Sequence, residues 1–330
     1  MHTRKSLLSL AVLVALSGTV LADSSSVTTS QNGTDNNLNV DQGSANGSAI
    51  SITQGGDNNT AGTSGTPIKQ TATNSGISIT QLQSSNTSAA DQAGNSNNAS
   101  IYQNGLSQRA ETHQAGDHNS ANINQNGNQY EVASISQGLY GGSYNTASIS
   151  QVGNLGGPWG DIGQTGNHNT ASVTQNYNIG GGYGGVYQHG DFNNGSIYQQ
   201  GNINGGATLN QSGNNNTGYV QQISVTDSVA TATQTGDYNN ASLYQTGTNL
   251  TATVNQNGNG NVVYSNQSGS YNEDNLLQAG GNNNSATVNQ TGAGISLALN
   301  TVSLTQTGNN LTSNISQSGG SGNHATINQH

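Results

Sequence analysis

The sequence has no cysteine, two prolines, one tryptophan and one phenylalanine in 330 residues, and only 5% of it is charged. Without cysteine, no disulfide can hold the chain together. Four Lys and Arg stand against 14 Asp and Glu; nucleic-acid binding, which needs clustered cations to displace counterions, is excluded. Hydrophobic residues make up 29%, against nearly half in an ordinary domain, so one closed hydrophobic core is excluded as well. Disordered chains usually carry much charge or much proline, and this chain carries neither. Past residue 22 no apolar run is long enough to cross a bilayer.

The first 22 residues differ from the rest. Arg4 and Lys5 precede an apolar run from Leu7 to Leu16, and Val20-Leu21-Ala22 leads into Asp23. This is the pattern of a Sec signal peptide cleaved after Ala22, with an apolar run too short for a membrane anchor. The expected organisation is a signal peptide at 1–22 and a single repeat domain at 23–330. Cleavage removes Arg4 and Lys5, leaving Lys69 and Arg109 against 14 acidic residues, a net charge of 2 − 14 = −12.

What fills the chain is a repeat. A series of glutamines runs from Gln31 to Gln329, most of them 11 or 12 residues apart. After alternate glutamines the pattern is strict, Q-x-G-x-x-N-x-A-x-(aliphatic)-x-Q, as in QAGNSNNASIYQ (92–103), QAGDHNSANINQ (114–125), QTGNHNTASVTQ (164–175) and QTGDYNNASLYQ (234–245). The intervening halves keep the glutamine and relax the asparagine. The unit is therefore 22 or 23 residues of two unlike halves, repeated about 13 times across 26 such glutamines.

Within 164–175, Asn169, Ala171, Val173 and Gln175 alternate with Thr170, Ser172 and Thr174, the period of a β-strand. The Ala and Val mark the inner face, and Gly166 supplies a tight turn. Strand, turn, strand, turn makes one flat coil. The expected fold is all-β, a cross-β β-solenoid of about 13 two-stranded coils stacked in register. A lone coil buries too little to offset its ordering entropy. Stacked copies add backbone bonds on both sides and bring identical amides about 4.8 Å apart, where they can form ladders. The stacking ladder is assigned to Gln92, Asn97, Gln103, Gln114, Asn119, Gln125, Gln164, Asn169, Gln175, Gln234, Asn239 and Gln245. Longer intervals contain GTSGTP (62–67), LYGG (139–142), GGPWG (156–160) and GGGYGG (180–185); these inserts are expected as bulges at coil corners, with Trp159 a loop or surface residue rather than a ligand platform.

The strict half resembles the curlin repeat of bacterial curli subunits. The resemblance covers essentially the whole chain after residue 22, and the near-fixed period makes it specific. It implies a secreted subunit that polymerises into extracellular functional amyloid for biofilm matrix and adhesion. It also implies partners: other copies of the chain, a nucleator subunit, a periplasmic chaperone and an outer-membrane secretion pore. The terminal repeat GNHATINQH (322–330) has no Lys or Arg, which leans toward a major subunit rather than a minor nucleator.

The C-terminal strand ATINQ (325–329) carries neither charge nor proline to blunt its edge, so growth is expected head to tail. Asp57, Asp117, Asp191 and Asp237 each follow a turn glycine. They are ordinary turn residues or gatekeepers that slow premature assembly. Tyr102, Tyr187, Tyr198 and Tyr244 each precede a repeat glutamine and are expected to face outward. His113 and His118 lack a partner ligand set, and no motif frames a catalytic serine, so neither metal, cofactor nor enzymatic activity is expected. A monomeric ice- or surface-binding solenoid and a disordered prion-like polymer remain open at this point.

Overall fold

A computed structural model describes residues 24–138 and 141–330. The leader at 1–22 lies outside the described residues, as do Leu139 and Tyr140 of one insert. The described residues form 28 strands and no helix, all in two parallel sheets of 13 and 15 strands. Successive strands alternate between the sheets, so each coil contributes to both. The second sheet has two extra strands because its first two coils are split there, into Asn37–Leu38 with Val40–Asp41 and Thr60–Ala61 with Ile68–Gln70. The result is a β-solenoid of 13 turns.

Binary patterning sets the two faces. In the strand Thr170–Asn176, Ala171, Val173 and Gln175 are buried while Thr170, Ser172 and Thr174 face outward. A one-residue slip would turn every aliphatic to solvent, so the register is strongly specified. Glutamine accordingly pairs with glutamine from coil to coil: Gln125 with Gln151, Gln151 with Gln175 and Gln175 with Gln199 in the first sheet, and Gln137 with Gln164 and Gln164 with Gln188 in the second.

Between the sheets lies a narrow core in which most strands bury one large aliphatic, including Ile149, Ile162, Val173, Val186, Ile197 and Leu209, all fully buried. Small residues sit where the facing sheet sends in a large one. A Cβ on Gly160 would lie 2.9 Å from the Ile149 side chain, and one on Gly184 would lie 2.8 Å from Val173. These glycines therefore belong to strands rather than to corner bulges. Trp159 is a surface residue, half-exposed, but it opens the strand Trp159–Thr165 and does not lie in a loop. The insert at 62–67 interrupts a second-sheet strand between Ala61 and Ile68 instead of sitting at a corner. An edge-proximal coil can hold such a loop because Val40–Asp41 still pairs with the strand beyond it.

Several turns after second-sheet glutamines share one shape, seen after Gln114, Gln164 and Gln188. Gly166 has φ +92°, and a side chain there would run into the backbone carbonyl of Gly190 one coil on. Two residues later the chain is left-handed again, even without glycine: His118, Tyr144, His168 and Phe192 have φ of +58°, +61°, +57° and +58°. Their rings stack in one column, with centroids 4.6, 4.9 and 4.8 Å apart. Ring stacking at the coil repeat helps offset the backbone cost of the left-handed conformation.

Candidate functional site

A solenoid presents chemistry in three places: along its inner seams, on its outer faces and at its two ends. Two inner seams are chains of glutamine. In the first sheet Gln31, Gln54, Gln81, Gln103, Gln125, Gln151, Gln175, Gln199, Gln222, Gln245, Gln267, Gln290 and Gln317 follow one another. Each donates Nε2–H to the Oε1 of the next at 2.6–3.1 Å. A second chain runs from Gln42 to Gln329 through Gln70, Gln92, Gln114, Gln137, Gln164, Gln188, Gln211, Gln234, Gln256, Gln278 and Gln306, at 2.7–3.0 Å. Both chains point the same way, with the N–H groups toward the C-terminal coils.

The second proton of each amide ties the two sheets together. Gln92, Gln103, Gln114 and Gln125 donate to the carbonyls of Gly76, Thr87, Asn98 and Arg109 at the start of a strand in the opposite sheet. Gln164, Gln175, Gln234 and Gln245 do the same to Thr146, Trp159, Thr217 and Val229. A carboxylate could donate neither bond, and an aliphatic would leave both neighbours unpaired. These glutamines are nearly inaccessible to solvent, and the pairing removes the penalty of burying them.

The asparagines work differently. Asn97, Asn119, Asn169 and Asn239 are buried at the turns. The Oδ1 of each accepts the backbone N–H of the matching asparagine in the next coil: Asn119, Asn145, Asn193 and Asn261, at 2.8–3.0 Å. Their Nδ2 groups donate to the turn-glycine carbonyls of the next coil, Gly116, Gly142, Gly190 and Gly258. They clamp backbone to backbone, whereas the glutamines bond side chain to side chain.

One seam escaped the repeat pattern. On the opposite turn Asn128, Asn154, Asn178 and Asn202 form another buried column. Each Oδ1 accepts the next backbone N–H, ending on Val225. The signal lies three residues after Gln125, Gln151, Gln175 and Gln199, in halves whose asparagine looked relaxed because its offset differs.

The four turn aspartates bridge coils. Asp57 Oδ1 accepts from the backbone N–H and hydroxyl of Thr34 at 2.8 and 2.7 Å, and these bonds hold its carboxyl below the usual carboxylate range. Asp117, Asp191 and Asp237 accept from the backbone N–H groups of Asn95, Asn167 and Asn214 at 2.7–2.8 Å. Asparagine fills the same role in neighbouring coils, as Asn259 Oδ1 does for Asp237 N–H.

Outward residues include Tyr102, Tyr187, Tyr198 and Tyr244, all half-buried on the sheet surfaces. Tyr219, Tyr244 and Tyr264 line up across three coils, with centroids 5.5 and 5.3 Å apart. Two acids are buried. Burial pushes the Glu131 carboxyl up to about 7, against weaker opposing contacts from the backbone of Glu131 and Gln129. Burial likewise pushes Asp274 up to about 7, against the opposing hydrogen bond from Ser265 Oγ.

The ends of the stack are open and matched. At the first coil, Gln31 and Gln42 donate onward, but their Oε1 atoms accept nothing among the described residues. At the last coil, Gln317 and Gln329 each spend one Nε2 proton on a carbonyl, Thr301 and Thr312, and keep the other. Leu38 and Val40 at one end and Ala325 and Ile327 at the other are only partly covered. A free acceptor pair and a thin apolar edge thus face one way, and a free donor pair with a similar edge faces the other.

Comparison with known proteins gives one family match. The model of the curlin associated repeat matches residues 226–257. That window holds the strands Val229–Thr235, Asn240–Thr248 and Thr251–Asn257, about one and a half coils, including 234–245. The same register continues on both sides of it. No curated protein matches the chain.

Proposed function

We propose that this chain, whose matched repeat supports a curlin family assignment, is a secreted structural subunit that polymerises head to tail into extracellular amyloid fibres. The observation that carries the reading is the complementarity of the ends. Continuing the register, Gln317 and Gln329 of one copy would donate to Gln31 and Gln42 of the next. Ile327 and Ala325 would cover Val40 and Leu38. Such a contact is heterologous and does not close, so it gives filaments. Each copy would add about 60 Å of fibre at ~4.8 Å per coil.

In this role the protein is a building element and not an enzyme. Its ladder residues, Gln92, Asn97, Gln103 and their equivalents through Gln245, template each coil on the last, within a molecule and between molecules. Export after cleavage of the 1–22 leader, a chaperone and pore to carry the chain out, and a nucleator to start growth are parts of the same proposal. The absence of Lys and Arg in 322–330 favours the major-subunit role. A matrix and adhesive function on the cell surface follows from a fibre of this kind.

The test is to purify residues 23–330, follow thioflavin fluorescence and image the product. Unbranched fibres that are seeded by their own fragments are expected. A chain that stays monomeric at high concentration would overturn the proposal and favour a surface-binding solenoid.

A further inference from the structure

The outer face of the second sheet is mostly Ser, Thr and Asn toward its C-terminal coils, and carries Lys69, Asp91, Arg109, Glu111 and His113 toward its N-terminal coils. It changes abruptly at two adjacent coils, in the strands Trp159–Thr165 and Tyr183–His189. There the outward positions carry Trp159, Tyr183 and Tyr187, the sole tryptophan among them, and three nearby outward positions, Gly163, Gly185 and Gly206, carry no side chain.

The bare positions and the rings fit each other. Tyr187 lies across Gly163 of the preceding coil, where a Cβ would come 3.2 Å from the ring. Its hydroxyl donates to Asp161 Oδ2 at 2.7 Å, two residues back on the same neighbouring strand. Tyr183 lies along its own strand over Gly185, where a Cβ would come 2.7 Å from the ring, and its hydroxyl meets that of Tyr187. Trp159 packs edge-on against Tyr183, with centroids 6.0 Å apart and planes at 89°. Glycine is a poor strand former, so its use at these outward positions sacrifices sheet propensity. What it permits is two tyrosine rings laid down on the sheet and pinned by their hydroxyls, instead of standing upright and mobile.

Beside Tyr187 the surface dips into a hollow of about 400 Å³, lined by Gly163, Thr165, His189, Asn210, Ser212 and Thr233. The surface its walls expose is mostly apolar, with few polar atoms among it, and Thr165 Oγ1 is bonded to His189 Nδ1 at 2.6 Å. No Lys or Arg is present, and the one carboxylate at the platform, Asp161, is occupied by Tyr187. The lining therefore has nothing to attract a polyanion. Flat aromatic faces flanked by a few neutral hydrogen-bonding groups suit a ligand with apolar faces and polar edges. Pyranose rings with equatorial substituents have this construction.

We propose that this face binds a neutral β-linked polysaccharide, sugar rings stacking on Tyr187, Tyr183 and Trp159 while their hydroxyls bond to the rim of the hollow. The site is complete within one molecule and does not depend on fibre formation. In a fibre it would recur once per subunit along one side, converting weak single contacts into avid ones.

The test uses the purified secreted chain with cellohexaose as the probe, titrated by calorimetry and by amide shift mapping, and with polygalacturonate as an anionic comparator. Saturable cellohexaose binding is expected, with shifts confined to strands 159–165, 183–189 and 206–212. Tyr187→Ala should weaken it at least tenfold. Gly163→Val keeps the tyrosine and improves strand propensity but displaces the ring, and should weaken binding similarly. Thioflavin kinetics on the same samples should be unchanged in both variants, which separates this site from assembly. Absence of saturable binding, equal binding by wild type and both variants, or binding of polygalacturonate alone would each overturn the proposal.

Discussion

Asp274 Oδ1 lies 2.8 Å from the amide oxygen of Gln290 as that amide is oriented in the ladder. Two oxygens at this distance need a proton between them. A neutral Asp274 supplies it, donating to Gln290 Oε1 while its other oxygen accepts from Ser265 Oγ. An ionised Asp274 would instead call for the Gln290 amide to turn over and donate, which sets its N–H against that of Gln267 and breaks the ladder.

Stability should therefore fall as pH rises. The Asp274 carboxyl goes from an ordinary 3.8 to about 7 on folding, so the folded state holds the extra proton. Its contribution is fully present below about pH 4 and is lost as pH rises through about 7. Three pKa units correspond to a contribution on the order of 4 kcal/mol. Glu131, raised to about 7 by burial, acts in the same direction. Denaturant midpoints measured between pH 4.5 and 8 should drop for the wild type and flatten in Asp274→Asn, whose amide can donate to Gln290 at any pH. An Asn variant with the wild-type slope would remove Asp274 from the account.

Interior ladder residues should be costly to replace with apolar ones. Gln175→Leu preserves bulk but leaves Gln151 Nε2 without its acceptor and Gln199 Oε1 without its donor. Each buried orphan costs about 1–3 kcal/mol, so a loss of about 2–6 kcal/mol is expected. An outward substitution in the same strand, Thr174→Val, should be near neutral. Equal effects from the two variants, measured by denaturation, would mean that the ladder carries no particular weight.

The glutamine seams were legible in sequence because the residue and its spacing are both nearly invariant along the chain. The inward Asn-Ala-aliphatic-Gln set was legible for the same reason. What the asparagines bond to was not, since the turn carbonyls of Gly116 or Gly190 are placed by backbone conformation, which spacing does not encode. The Asn128–Asn202 column was missed because it follows its glutamine by three residues instead of five. Gly160 and Gly184 looked like corner material because composition cannot distinguish a turn glycine from one that yields space to Ile149 or Val173. The insert at 62–67 was visible as extra length, but its place within a strand depends on which pairings survive around it.

The turn aspartates offer a sharper test. Asp57, Asp117, Asp191 and Asp237 accept bonds that asparagine accepts elsewhere in the same column. Asp→Asn at all four should therefore leave the coil geometry intact while removing four negative charges. If they act as gatekeepers, the lag before fibres appear should shorten severalfold at low salt, and less so at high salt where the charges are screened. An unchanged lag at both salts would leave them as turn residues alone.

The ends make the most direct prediction. Gln317→Leu with Gln329→Leu removes both free donors at one end while keeping the apolar edge. Within the molecule Gln290, Gln306 and Ser313 lose an acceptor, the two glutamines being buried in the coil before the last. The monomer should fold with a loss of about 1–3 kcal/mol for each buried orphan, which denaturation measures. Added to preformed wild-type seeds, it should dock through its intact first coil and then present a surface that lacks the donors for Gln31 and Gln42 of the next copy. Substoichiometric amounts should slow elongation several-fold, because each capped end stops. The matching pair at the other end, Gln31→Leu with Gln42→Leu, should fail to add to the donor end yet leave that end free to grow with wild-type chains. Imaging of single fibres with two-colour additions reads the two cases separately. Equal, weak inhibition by both pairs would mean that growth proceeds by lateral contacts and not through the coil ends.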